Sequence, residues 1–208
     1  VRRKARVKED LEFYSVLRSV RAIEDADVCL FMIDAEKGIT AQDLAIFHLI
    51  DKNRKGVVLI VNKWDLVEKD SKTVDSYTET IKEKLRPFTD VPIVYTSVLT
   101  SQRVHKALEV AVQVYENRKK KIKTSELNAY LLPIIDNTPP PSIKSKHIKI
   151  KYITMLPTAT PQFAFFCNLP QYINESYRRF LENKIREKFD FSGVPITLFF
   201  RAKGKQDN

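Results

Sequence analysis

The chain has 208 residues, of which 43% are hydrophobic and 30% charged, enough apolar material to fill the core of one large or two small domains. Its two cysteines, Cys29 and Cys167, lie in apolar runs with no Cys-x-x-Cys motif, so they read as buried thiols of a reducing cytoplasm, and no signal peptide or bilayer-length apolar run is present. The net charge of +10 is unevenly placed: residues 1–117 carry 19 basic and 19 acidic side chains and residues 118–208 carry 17 and 7, which predicts two domains with a polyanion-facing second one.

In chain order, the basic segment from Val1 to Lys8 has no apolar period and reads as mobile or as part of a larger site. Phe13, Val16, Leu17, Val20 and Ile23 recur at helical spacing between Glu9 and Glu24. Val28–Asp34 reads as a buried strand, and Thr40 with Asp43 as the capping-box start of a helix reaching about Ile50. Gly56–Val61 is an unbroken apolar run, as expected of a parallel strand covered on both faces. A helix over Ser71–Leu85, a third strand over Pro92–Thr96 and a helix from about Val104 to Arg118 follow. Strands alternating with helices predict a parallel, doubly wound α/β sheet.

The central strand ends in Asn62-Lys63-Trp64-Asp65, and the carboxyl ends of parallel strands are where α/β sheets bind ligands. This Asn-Lys-x-Asp pattern is the guanine-specificity motif of Ras-like GTPases. The Asp65 carboxylate can accept two parallel hydrogen bonds from the ring N–H and exocyclic amine of guanine. Adenine presents no such donor pair, so a site of this kind rejects it by about 10⁴-fold. Lys63 would lay its alkyl stem along the base, and Asn62 would bond the base edge and tie neighbouring loops together. The alternative is a strand end with a capping Asn and solvated charges. Ser97-Val98-Leu99 follows the third strand, where Ras-like GTPases place a Ser-Ala-x loop against the guanine carbonyl; with Val98 for Ala, a backbone N–H serves equally well.

Other motifs are missing. The four glycines, Gly38, Gly56, Gly193 and Gly204, form no Gly-x-x-x-x-Gly-Lys-Ser/Thr, and no Asp-x-x-Gly is present. An apolar strand such as Val28–Asp34 also requires a neighbour that nothing upstream supplies. The expectation is therefore that these residues are the back part of a longer protein. His48, His105 and His147 lack metal-ligand spacing and read as surface or packing residues, so no metal ligand is assigned.

Beyond Arg118 the basic junction Arg118-Lys119-Lys120-Lys121-Ile122-Lys123 leads to a helix starting at Thr124 or Ser125, with Leu127, Tyr130, Leu131 and Ile134 turned inward. After the stiff Thr138-Pro139-Pro140-Pro141 connector, Ile148-Lys149-Ile150-Lys151-Tyr152 alternates as a half-exposed strand with its lysines outward. Phe163–Cys167 is the return strand. Asn174 caps a helix with Tyr177, Phe180, Leu181 and Ile185 buried and Arg178, Arg179, Lys184 and Arg186 outside. Gly193 turns the chain into a last strand, Pro195–Arg201. The order αββαβ is that of a small two-layer α+β domain.

Val1-Arg2-Arg3, Arg21–Val28, Asn62–Asp65, Thr124-Ser125-Glu126-Leu127-Asn128 and Glu175–Phe180 together resemble the bacterial double-GTPase ribosome-assembly family Der, also called EngA. The resemblance implies that residues 1–118 are the later part of a Ras-like P-loop GTPase domain and 119–208 a KH-like domain. It implies Val1 at the position where Ras-type enzymes carry a catalytic glutamine, and hydrolysis attributed to a potassium ion and backbone placement. No catalytic side chain is therefore assigned in this chain. It further implies GTP/GDP as ligand, with magnesium and potassium held by residues of the complete protein. The implied setting is a cytoplasmic monomer without membrane contact, which partners rRNA, the large ribosomal subunit and an upstream GTPase domain of the same protein.

The second domain lacks the Gly-x-x-Gly loop with which KH domains clamp nucleic acid. RNA contact would then be diffuse, through Arg118, Lys119, Lys120, Lys121, Lys123, Lys149, Lys151, Arg201 and Lys203, with Phe199 or Tyr152 as a stacking face. The alternative is a solvated basic surface or one that docks onto the GTPase domains. Two functions are carried forward: a GTP-hydrolysing switch in ribosome assembly, and a non-hydrolysing RNA-binding module on an incomplete GTPase platform.

Overall fold

The computed structural model describes residues 18–202 apart from 69, 71 and 143–146. The basic segment at Val1–Lys8, the first part of the first predicted helix and Lys203 lie outside these. The chain divides between Tyr115 and Glu116 into two units.

In the first unit, helix α1 is described over residues 18–25 and turns Ile23 inward. Strands β1 (Val28–Asp34), β2 (Gly56–Asn62) and β3 (Ile93–Tyr95) form a parallel sheet in the order β1-β2-β3. They alternate with helices α2 (Ala41–Lys52), α3 (Thr73–Lys84) and α4 (Val104–Lys119), the predicted α/β arrangement. Thr40 and Asp43 form the expected capping box. β2 is central because all its side chains from Val57 to Val61 are buried; each contributes about 1.5–3 kcal/mol by leaving water. Its first residue is glycine because α4 comes too close for a side chain: a Cβ on Gly56 would meet Val114 Cγ1 at 2.8 Å.

β1 departs from expectation. Phe31 and Ile33 are buried, but Leu30 and Met32 are 44% and 52% exposed. β1 is an outer strand of the three, and the cover that buries the register partners of these two side chains on β2, Val58 and Ile60, does not extend fully across to it.

In the second unit, α5 (Thr124–Asn137), β4 (Ile150–Met155), β5 (Gln162–Cys167), α6 (Glu175–Lys188) and β6 (Thr197–Ala202) reproduce the order αββαβ. β5 pairs antiparallel with β4 and parallel with β6. The helices cover one sheet face, around Phe163, Phe165, Leu127, Leu131, Leu181 and Ile185. The inward stripe of α5 is Leu127, Leu131 and Ile135, while Tyr130 and Ile134 are only partly buried. Asn174 caps α6 by accepting from Tyr177 N at 2.8 Å.

Two further expectations are corrected. The alternation holds from Ile148 to Lys151, with both lysines exposed, but a bulge between Ile150 and Tyr152 turns Tyr152 outward as well. Arg186 does not sit outside: its side chain is 12% exposed, because it donates to the carbonyls of Phe191 and Val194 and pairs with Glu182. Arg178 likewise lies partly buried over the Phe200 ring, 4.5 Å from its centroid. Arg186 satisfies main-chain carbonyls where the chain turns between α6 and β6, and Arg178 those of Ile173 ahead of α6 and Leu198 in β6, roles that helical periodicity does not encode.

Candidate guanine-nucleotide site and basic surface

The Asn-Lys-x-Asp segment leaves β2 through a left-handed residue, Lys63 at φ 62, a conformation that a side chain adopts at some cost and that recurs at functional turns. The reversal lets Trp64 N donate to Thr96 O at 3.0 Å and starts a short 3-10 turn, Trp64–Leu66, that carries Asp65. Trp64, 3% exposed, anchors this turn. Its ring centroid lies 4.3 Å from that of Tyr95 and 5.4 Å from that of Tyr77. The Tyr77 hydroxyl donates to Ala35 O at 2.7 Å. Asp65 therefore stands half-buried on a turn whose floor is aromatic and fixed.

Asn62 links this turn to the next loop. Its Oδ1 accepts from Val98 N at 3.1 Å and from Thr96 Oγ1 at 3.4 Å. Ser97 is fully buried, and its Oγ accepts from Thr100 N at 3.2 Å. The backbone of Ser97 bridges that of Gln102 in both directions. A closed loop results, with Val98 and Leu99 at its exposed tip, 58% and 86% accessible. The Val98 N–H is held by Asn62. The structure thus gathers Asn62, Lys63, Asp65, Ser97, Val98 and Leu99 at the carboxyl ends of two adjacent parallel strands.

Asp34 carries no motif in the sequence, yet it belongs to this group. It closes β1 in register with Asn62 and accepts from Lys63 Nζ at 2.7 Å and from Glu36 N at 2.9 Å. The Lys63 bond, then the Glu36 N–H, holds its carboxyl below the ordinary carboxylate value. The same bond raises Lys63, helped by the Asp34 charge and more weakly by Glu36 and Asp65. An acid ending the strand beside an Asn-Lys pair is the available signal, but only strand order shows the two to be neighbours.

The basic candidates of the second unit separate into two groups. In the junction, Arg118 is 7% exposed, and Lys119 lies 4.0 Å from Glu116. Lys120 donates to Asp190 O above the Phe191 ring, and Lys121 donates to Thr158 O at 2.7 Å. Lys123 is exposed. Most of the junction cations thus serve the fold of their own unit. Lys151 of β4, Arg201 of β6 and Lys149, just ahead of β4, are exposed.

Among the described residues no group of three or more His, Cys, Asp or Glu is placed to hold a metal ion. No helix among the described residues is long and apolar enough to cross a membrane.

Comparison with known proteins follows the same division. Residues 15–117 match the elongation factor Tu GTP-binding domain, and residues 121–201 match the KH-domain-like C-terminal region of EngA bacterial GTPases. GTPase Der of Flavobacterium psychrophilum is 63% identical over 98% of this chain and 47% of its own length, and that of Flavobacterium johnsoniae is 62% identical over 98% and 46%. The chain therefore spans about half the length of these relatives. Among solved structures, Aquifex aeolicus Era bound to GDP and aluminium fluoride covers 89% of this chain and 69% of its own, at 20% identity and a TM-score of 0.40. Near-complete coverage at high identity by Der proteins, joined to the EngA-type KH-like match in the second unit, shows that the chain belongs to the Der (EngA) family of bacterial GTPases.

Proposed function

We propose that these residues serve a cytoplasmic protein that binds GTP and hydrolyses it as a switch in assembly of the large ribosomal subunit. Residues 1–118 supply the base-reading part of a Ras-like GTPase domain, and residues 119–208 form a KH-like domain that contacts rRNA. The observation that carries the reading is the Asn62 bridge to Val98 N, which brings two guanine-type loops to one end of the sheet. In this arrangement Asp65 accepts from guanine N1–H and the exocyclic amine. Leu99 N–H meets the guanine carbonyl, and the Lys63 stem covers the base while its ammonium stays on Asp34.

The test is competition for a fluorescent GDP bound to a complete Der protein carrying these residues. GTP should displace it about 10⁴-fold more effectively than ATP; equal displacement by ATP overturns the base assignment. The second reading is an RNA-binding module that does not hydrolyse GTP, which the carboxylate-free strands of the second unit also suit. Single-turnover phosphate release by the complete protein decides between them: release supports the switch, and GTP bound but not cleaved supports the module.

A further inference from the structure

If the alternation of β4 held, Tyr152 would share the core-facing side with Ile148 and Ile150. The bulge between Ile150 and Tyr152 reverses it. Ile150 and Ile153 are 3% and 0% exposed, whereas Tyr152 turns out and is 45% exposed. Bulges commonly re-aim a side chain in this way. Tyr152 stands opposite Phe166, with ring centroids 5.8 Å apart, and Phe166 pairs in register with Arg201 of β6. The adjacent rung is Thr154, Ala164 and Phe199. Phe199 is 37% exposed, with the Arg201 guanidinium 5.7 Å from its ring centroid. The side of the sheet away from the helices therefore carries three aromatic rings on neighbouring rungs. Core packing does not explain them, because Phe163, Phe165 and Phe200 already fill the helix side.

Charge identifies the occupant. β4, β5 and β6 contain no aspartate or glutamate, while Arg201 lies by the Phe199 ring and the exposed Lys149 and Lys151 precede Tyr152 in the chain. Among the described residues none of the three makes an ion pair. Lysine is depleted at protein interfaces, whereas cations beside exposed rings are what single-stranded nucleic acid requires.

We propose that this outward sheet face is a platform for single-stranded RNA, with unpaired bases stacked on Tyr152, Phe166 and Phe199 and phosphates paired with Lys149, Lys151 and Arg201. The proposal rests on the reading that the second unit contacts RNA and goes further in naming the face. It differs from a loop clamp, which this sequence lacks, and from the basic junction, whose cations are largely engaged within the fold.

The test is fluorescence anisotropy with the 208-residue chain and a labelled oligouridylate of about twelve nucleotides, across a salt series. Tyr152→Ala and Phe199→Ala should each weaken binding about five- to a hundred-fold and leave the salt slope unchanged, and Tyr152→Phe and Phe199→Tyr should restore it. Arg201→Gln and Lys151→Gln should lower the slope, by up to about one unit for each phosphate left unpaired. Duplex RNA should compete weakly, because its bases are already stacked. If the wild type binds and both alanine variants bind equally well, with weakening confined to Lys123→Gln, the platform is wrong while RNA binding by this unit stands. Competition by duplex as strong as by single strands also overturns the platform. If the wild type fails to bind either RNA, both readings fall.

Discussion

At the scale of single residues, the proposed base site depends on one carboxylate and the pair beside it. Asp65→Asn in a complete Der protein exchanges an acceptor for a donor, so affinity should move from guanine to xanthine nucleotides, whose ring presents an oxygen at that position. Nucleotide competition measures this, and unchanged GTP preference would show that Asp65 does not read the base. Asp34 acts differently, by holding Lys63 in place through the 2.7 Å bond. Asp34→Ala leaves a long side chain to be ordered on binding. GDP affinity should therefore fall by about two- to ten-fold while the guanine-over-xanthine preference is retained. Since the carboxyl of Asp34 is held below its ordinary value, its contribution is present above the usual carboxylate range and is lost as pH falls through the lowered value.

At the scale of elements, β4 has one edge paired with β5, and Asn128 of α5 closes the other. The Asn128 amide donates to Ile153 O at 2.6 Å, and its Oδ1 accepts from Ile153 N at 2.9 Å. One side chain thus imitates a neighbouring strand and blunts an edge that would otherwise be open to pairing. Asn128→Leu leaves a buried N–H and C=O without partners and should cost about 2–4 kcal/mol, read from urea unfolding. Tyr177 joins α6 to the end of α5 by donating to Thr138 O at 2.7 Å. Burial pushes its hydroxyl up to about 12, above the unfolded value near 10. Its stabilising contribution is therefore fully present below about pH 10 and is lost as pH rises toward 12. Tyr177→Phe should cost about 1 kcal/mol at neutral pH and make the decline in stability between about pH 10 and pH 12 shallower than in the wild type. An equal decline in both proteins would remove Tyr177 from the alkaline transition.

At the scale of the whole molecule, base reading and phosphate chemistry are separate modules of a GTPase site, and only the first has its sequence pattern here. The 208 residues on their own should bind GDP weakly and should not turn GTP over, because neither the phosphate-loop pattern nor Asp-x-x-Gly occurs among them. A malachite-green phosphate assay checks this. Turnover at the rate of intact Der proteins would mean that other residues cradle the phosphates. The uneven charge has its structural counterpart in a second unit whose exposed sheet cations lie on strands free of carboxylates.

Sequence alone determined the parallel α/β order of the first unit, the αββαβ order of the second and the position of the guanine-type loops, because hydrophobic period and motif chemistry are local properties. It also determined the Asn174 cap and the Thr40 capping box, which need only residues three apart. Tertiary structure decided what depends on neighbours distant in the chain. It paired Asp34 with Lys63 across 29 positions and used Val98 N–H for Asn62 across 36. It drew Arg186 inward to carbonyls that appear only once the chain turns after α6. The bulge in β4 was not legible because Lys151 and Tyr152 fit either alternation by composition; the pairing of β4 with β5 sets the register, and that register turned Tyr152 onto the outer face.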